Sequence, residues 1–177
     1  MKNESIAFGG GCFWCTEAVF SRVPGVVGVT PGYAGGHVPD PTYRRVCGGD
    51  TGHAEVVLVS YHPGKVSLRR LLEVFFSSHD PTSLNRQGAD VGTQYRSIIL
   101  YTDEEQRRES ERFLREAAPR YERPIVTEVK KLEAFYPAED YHQRYYERNP
   151  RQPYCRLVIA PKLEKTGKAG ETGDNTA

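Results

Sequence analysis

Residues 6–17 read Ile6-Ala7-Phe8-Gly9-Gly10-Gly11-Cys12-Phe13-Trp14-Cys15-Thr16-Glu17. An apolar run, three glycines and a helix-compatible segment with two thiols and two aromatics follow one another directly. The apolar run predicts a short buried strand. The glycines permit a sharp turn into a helix running from about Cys12 to Arg22 and closed by Pro24-Gly25. Cys12 then stands at or near the helix N-terminus, where unpaired N–H groups and the macrodipole favour a thiolate. The rival reading is a small buried hydrophobe, because free cysteine is among the most buried residue types. The glycine run and the aromatics beside Cys12 weigh against it.

Working outward, Val26, Val27 and Val29 predict a strand running towards Tyr33. Ala54 to Tyr61 is the clearest strand, Val-rich on both faces. After a Pro63-Gly64 turn, Ser67 opens an amphipathic helix with Leu68, Leu71, Leu72, Phe75 and Phe76 at helical spacing. Arg96 to Tyr101 is a further strand. The order β-α-β-β-α-β over residues 4–101 is that of the ferredoxin-like split βαβ unit. It predicts an α+β two-layer sandwich, a mainly antiparallel mixed sheet with helices packed on it and the long loops gathered near Cys12. Beyond it, a charged helix runs from Asp103 to about Ala118 behind a Thr102/Glu105 capping box. Ile125 to Lys130 reads as an edge strand, Ala138 to Arg148 as a helix and Leu157-Val158-Ile159 as a last strand. The reading is one catalytic domain, residues 1–164, with a polar, disordered tail over 165–177.

Composition sets bounds on function. The 177 residues are 38% hydrophobic and 27% charged, ordinary for one globular domain. A formal net charge of +1 gives no global field for nucleic acid or an anionic membrane. No apolar run approaches the roughly 20 residues of a membrane helix, and Met1-Lys2-Asn3-Glu4-Ser5 leaves no room for a signal peptide before the first strand. The expectation is a cytoplasmic monomer. In a reducing compartment, Cys12, Cys15, Cys47 and Cys155 suit catalytic or redox roles better than structural disulfides. Cys12 and Cys15 have C-x-x-C spacing, but no second tight pair completes a zinc site.

The candidate chemistry lies in the loops. Gly35 to Gly52 is rich in Gly and Pro yet carries Tyr43 and Cys47, with His53 just beyond, which argues for an ordered functional loop. His79 to Tyr95 is a second long polar loop. Glu55 sits at the mouth of an apolar strand, where desolvation raises a carboxyl pKa and keeps its proton on near neutrality. Tyr43 and Tyr95 offer neutral hydroxyl donors, and Phe13 and Trp14 offer apolar walls. A thiol, a protonated carboxyl and two hydroxyls suit attack on a polar S=O or C=O centre whose oxygen must be protonated. The competing readings are a C-x-x-C thiol–disulfide oxidoreductase using Cys12 and Cys15, and a non-catalytic binding module.

Four blocks in order resemble the methionine sulfoxide reductase A family. They are Gly11-Cys12-Phe13-Trp14; Pro41-Thr42-Tyr43 through Val46-Cys47 to Thr51-Gly52-His53-Ala54-Glu55-Val56; Asp90-Val91-Gly92-Thr93-Gln94-Tyr95-Arg96-Ser97; and Ala138-Glu139-Asp140-Tyr141-His142-Gln143. The resemblance implies reduction of the S epimer of methionine sulfoxide, free or in proteins. Cys12 would be the nucleophile and Glu55 the acid, helped by Tyr43 and Tyr95. Phe13 and Trp14 would hold the ε-methyl group, and Asp90 would help to bind substrate. A Cys12 sulfenic acid would be resolved to a disulfide and recycled by thioredoxin, without organic cofactor or metal. The resolving thiol would be Cys155, with Cys15 as its rival; His53 is read as structural.

Overall fold

The computed structural model describes residues 2–172, and the side chains of the last helix as far as Thr166. The chain opens with β1 (Glu4–Gly9), α1 (Phe13–Phe20), β2 (Val26–Ala34), α2 (Tyr43–Cys47), β3 (Ala54–Tyr61) and α3 (Leu68–Ser78). A hairpin of β4 (Arg86–Gln87) and β5 (Asp90–Val91) precedes β6 (Ile98–Tyr101) and α4 (Glu104–Ala117). The chain ends through β7 (Glu128–Lys131), β8 (Phe135–Pro137), α5 (Tyr145–Arg148) and α6 (Ala160–Thr172). Six strands form one mixed sheet in the order β7-β6-β1-β3-β2-β8. All neighbours are antiparallel except β6 and β7.

Pleat alternation assigns the two faces. Ile6 and Phe8 of β1 and Val57, Val59 and Tyr61 of β3 join the larger core, which takes Phe20 from α1, Leu71, Leu72 and Phe75 from α3, and Leu163 from α6. Phe8 stacks on Phe20 with ring centroids 4.9 Å apart. Ala7, Ala34, Ala54, Val56, Ile98 and Leu100 form the opposite core, whose small residues let Leu132 and Phe135 lie close to the sheet. Ser67 caps α3, its hydroxyl accepting from Arg70 N–H at 3.1 Å.

Three C-terminal expectations are corrected. The cap of α4 lies one residue later than Thr102/Glu105: Asp103 Oδ1 accepts from Gln106 N–H at 2.8 Å, and Gln106 Oε1 accepts from Thr102 N–H at 2.8 Å. The helix expected over Ala138–Arg148 is broken into a 3-10 turn, Asp140–His142, and α5. The break falls at Arg144, whose φ of 55° is left-handed and whose N–H donates to the buried Glu17 carboxylate at 3.0 Å. The strand expected at Leu157–Ile159 is instead a π turn, Cys155–Ile159, leading into α6. Pro161 lacks the N–H that an α-turn would offer the Leu157 carbonyl, so a wider turn just before it is physically reasonable. Helix α6 spans Ala160–Thr172, and the rest of the stretch read as a tail, 173–177, lies outside the described residues.

Candidate active site

Strand direction brings the site together. Phe8 pairs with Val57 and Gly9 with Ile98, so the ends of β1, the start of β3 and the start of β6 share one sheet edge. Tyr33 pairs with Glu55, which adds the end of β2 and the loop that leads to Tyr43. Gly11 turns β1 into α1 with φ +92°, and its N–H donates to the Tyr95 carbonyl at 3.1 Å. A Cβ on Gly10 would lie 2.7 Å from the His79 ring, so the chain must pass that ring as glycine. His79 donates from Nδ1 to the Phe75 carbonyl at 2.6 Å and accepts at Nε2 from Ser97 at 2.7 Å. Burial lowers its pKa to about 4, leaving a neutral, fixed ring beneath the turn.

Cys12 is the N-cap of α1 and is partly exposed. Glu55, 1% exposed, accepts from Phe13 N–H through Oε1 at 3.2 Å, which ties the carboxyl to the residue after Cys12. Its Oε2 is buried without a partner among the described residues. Burial pushes the Glu55 pKa up to about 8, against the Phe13 hydrogen bond and with added repulsion from Asp90. Glu55 is therefore mostly protonated at neutral pH. Burial also raises the Cys12 thiol well above its ordinary value, with further increments from Glu55 and Cys15. Burial there opposes the thiolate that the helix end favours. Tyr43 and Tyr95 are raised first by burial and then by the charge of Glu55, so both remain neutral hydroxyls beside it.

The aromatic wall has more members than Phe13 and Trp14. Phe13 is fully buried, packed on Tyr33 and His142, whereas Trp14 is half-buried and stacked on Tyr145 at 3.7 Å. Trp14 Nε1–H donates to His142 Nδ1 at 2.9 Å, which places the imidazole proton on Nε2. Glu139 accepts from Tyr33 O–H at 2.9 Å and from Tyr43 N–H at 3.1 Å, anchoring the loop that carries Tyr43. Tyr154 O–H donates to Asp90 at 2.9 Å and lies 3.6 Å from Cys15 Sγ. Glu17, Glu139, His142 and Tyr154 had no assigned role in the sequence reading, although Glu139 and His142 lie in a quoted block. His53 spends both ring nitrogens inside its loop, on Gly36 N–H and the Val38 carbonyl.

All four cysteines are free; Cys15 and Cys155 are buried and Cys47 is exposed. Cys15 stands one turn after Cys12, its N–H donating to the Cys12 carbonyl at 3.1 Å. Cys155 lies within electrostatic reach of Cys15. Among the described residues, no group of three or more His, Cys, Asp or Glu side chains is placed to hold a metal ion. No helix of the described residues is long and apolar enough to cross a membrane.

A partly exposed thiol near a buried, protonated carboxyl, with further thiols close by, fits a thiol-based oxidoreductase. The chain belongs to the peptide methionine sulfoxide reductase family, whose model matches residues 4–173. It is 59% identical over 162 residues to the peptide methionine sulfoxide reductase MsrA of Saccharolobus solfataricus, covering 92% of each chain. Mxr1 of Saccharomyces cerevisiae in its reduced form superposes with a TM-score of 0.83 at 40% identity, over 87% of this chain and 90% of that one. The same yeast protein in complex with Trx2 gives a TM-score of 0.60 at 28% identity, over 81% and 85%.

Proposed function

We propose that this protein reduces methionine-S-sulfoxide, free or within proteins, to methionine. The observation that carries the reading is Glu55: a buried carboxyl with a pKa of about 8, tied to the backbone beside Cys12. The sulfoxide oxygen takes the Glu55 proton, with the Tyr43 and Tyr95 hydroxyls steadying it. Cys12 attacks the sulfur that this protonation makes electrophilic. In balance, one thiol and one sulfoxide give one sulfenic acid and one thioether. Trp14 offers the apolar surface for the methyl group, the fully buried Phe13 supports it through their shared contact with His142, and Asp90 orders Tyr154 against the site. With dithiothreitol as reductant, the purified protein should form methionine from the S epimer and leave the R epimer untouched. Folded protein that reduces neither epimer would refute the reading.

A second thiol then displaces water from the sulfenic acid to form a disulfide. Cys15 suits this step, since it is one turn from Cys12 and linked to it by a backbone hydrogen bond. Cys155, within electrostatic reach of Cys15, suits a subsequent exchange in which it attacks Cys15 and frees the Cys12 thiol. Thioredoxin as final reductant is supported by the Trx2 complex of the yeast neighbour. Mass mapping after one turnover should find Cys12–Cys15 in the Cys155→Ser protein. A Cys12–Cys155 bond as the sole product, with Cys15 reduced, would restore Cys155 as the direct resolver.

The four-strand order β6-β1-β3-β2 with α1 and α3 as crossovers supports a ferredoxin-like reading of the sheet. Residues 1–164 are read as one catalytic domain acting as a monomer, because one chain supplies the whole thiol–acid site. Four unpaired cysteines suit the cytoplasm.

A further inference from the structure

A cleft of about 410 Å³ reaches Cys12 from a side that neither Glu55 nor the tyrosines Tyr43 and Tyr95 line. Its walls include Asp80, Asp90 and Tyr154, and from α6 it receives Lys162 and Lys165. The size is that of a site for a small molecule or a short peptide segment. Its two carboxylates are already engaged. Asp80 accepts from Thr82 at 2.6 Å and pairs with Arg123 at 3.3 Å, and Asp90 accepts from Tyr154. Its two ammonium groups are not: among the described residues, neither lysine has a carboxylate within ion-pair distance. They stand three residues apart, on one side of the helix. Lys162 is half-buried, and its charge reaches inward far enough to oppose the rise that burial gives the Cys15 thiol and to add to the drop that burial gives His79.

The sulfoxide group itself is neutral and needs no cation. The groups that flank it in a substrate must occupy space continuous with Cys12, and this cleft is such a space. We infer that Lys162 and Lys165 are specificity-determining residues that receive a carboxylate borne close to the methionine sulfoxide, either a free α-carboxylate or an acidic side chain in the same peptide. The inference rests on the proposed sulfoxide reduction and deepens it by naming the charge of the preferred substrate.

Two substrate pairs test it, all as S-sulfoxides and with dithiothreitol as reductant. N-acetylmethionine sulfoxide against its methylamide isolates the α-carboxylate. A capped peptide amide with glutamate beside the sulfoxide, against the same peptide with glutamine, isolates the side-chain carboxylate. At low ionic strength at least one anionic member should show a kcat/KM about 3–10-fold above its neutral partner, eroded by salt as a charge–charge contact requires. Which pair shows the advantage identifies the source of the carboxylate. The ratio should fall close to one in Lys162→Gln/Lys165→Gln and persist in Lys162→Arg/Lys165→Arg. Equal rates within both pairs, or a ratio unchanged by the glutamine substitutions, would overturn the assignment. Failure of the folded wild-type protein on all four substrates would instead count against sulfoxide reduction itself.

Discussion

Cys12→Ser should abolish methionine formation, lowering the dithiothreitol-driven rate by at least about 10⁴-fold. The hydroxyl keeps the size and position of the thiol but is far less nucleophilic and has no sulfenic acid chemistry. The loss should not come from unfolding. Cys12 is the N-cap of α1 and its side chain makes no capping hydrogen bond there, whereas serine is among the preferred N-cap residues. The variant should therefore melt at or slightly above the wild-type temperature while being inactive. A rate within tenfold of wild type would mean that another thiol attacks the sulfoxide. Cys15, buried and one turn away, would then be the first to examine.

The sheet that places Cys12 was readable because its signals are local. Ile6 to Phe8 is an apolar run stopped by glycines, β3 has its predicted bounds, and α3 combines helical spacing with the Ser67 cap. The C-terminal third depends on what it packs against. Three β-prone residues at Leu157–Ile159 suggested a strand, yet Leu157 is 74% exposed, while Cys155, Ile159 and Leu163 are buried at a spacing of four. That helical stripe lies against the core, and burial there overrides a three-residue propensity. The break at Arg144 was likewise unreadable, since its reason is a carboxylate 127 residues earlier.

The site divides in the same way. Cys12, Glu55, Tyr43 and Tyr95 were legible because each is a chemical group in an anomalous setting: a thiol after glycines, a carboxyl in an apolar strand, hydroxyls in glycine-rich loops. Glu139 and His142 act through contacts with Tyr33, Tyr43 and Trp14, which only the folded chain supplies. Sequence also could not weigh the helix end against burial at Cys12. Tyr145 and Tyr154 pack on Trp14, two residues after Cys12, and burial is the largest influence on the Cys12 thiol.

Replacing Glu55 by glutamine should slow Cys12 sulfenic acid formation by about 10²–10⁴-fold, the range for loss of a positioned general acid. The pH profile separates this role from a structural one. With a pKa of about 8, wild-type Glu55 holds its proton through neutrality, so its acid contribution should decline above about pH 8. Glu55→Gln should lack that descending limb. A rate unchanged by the substitution at both low and neutral pH would remove Glu55 from the chemistry. Stability should move in the opposite direction to activity. A carboxyl near 4.5 in the unfolded chain and near 8 in the fold binds more protons when folded, so stability falls as pH rises between those values and levels off above them. At pH 7 the accumulated cost is about 3 kcal/mol, which a neutral amide of similar shape partly relieves. Glu55→Gln should thus melt higher than wild type at pH 7–8, and the advantage should vanish near pH 4, where wild-type Glu55 is protonated in both states. An equal difference in melting temperature at both pH values would show that packing at Glu55, not the work of burying an ionisable acid, sets the change.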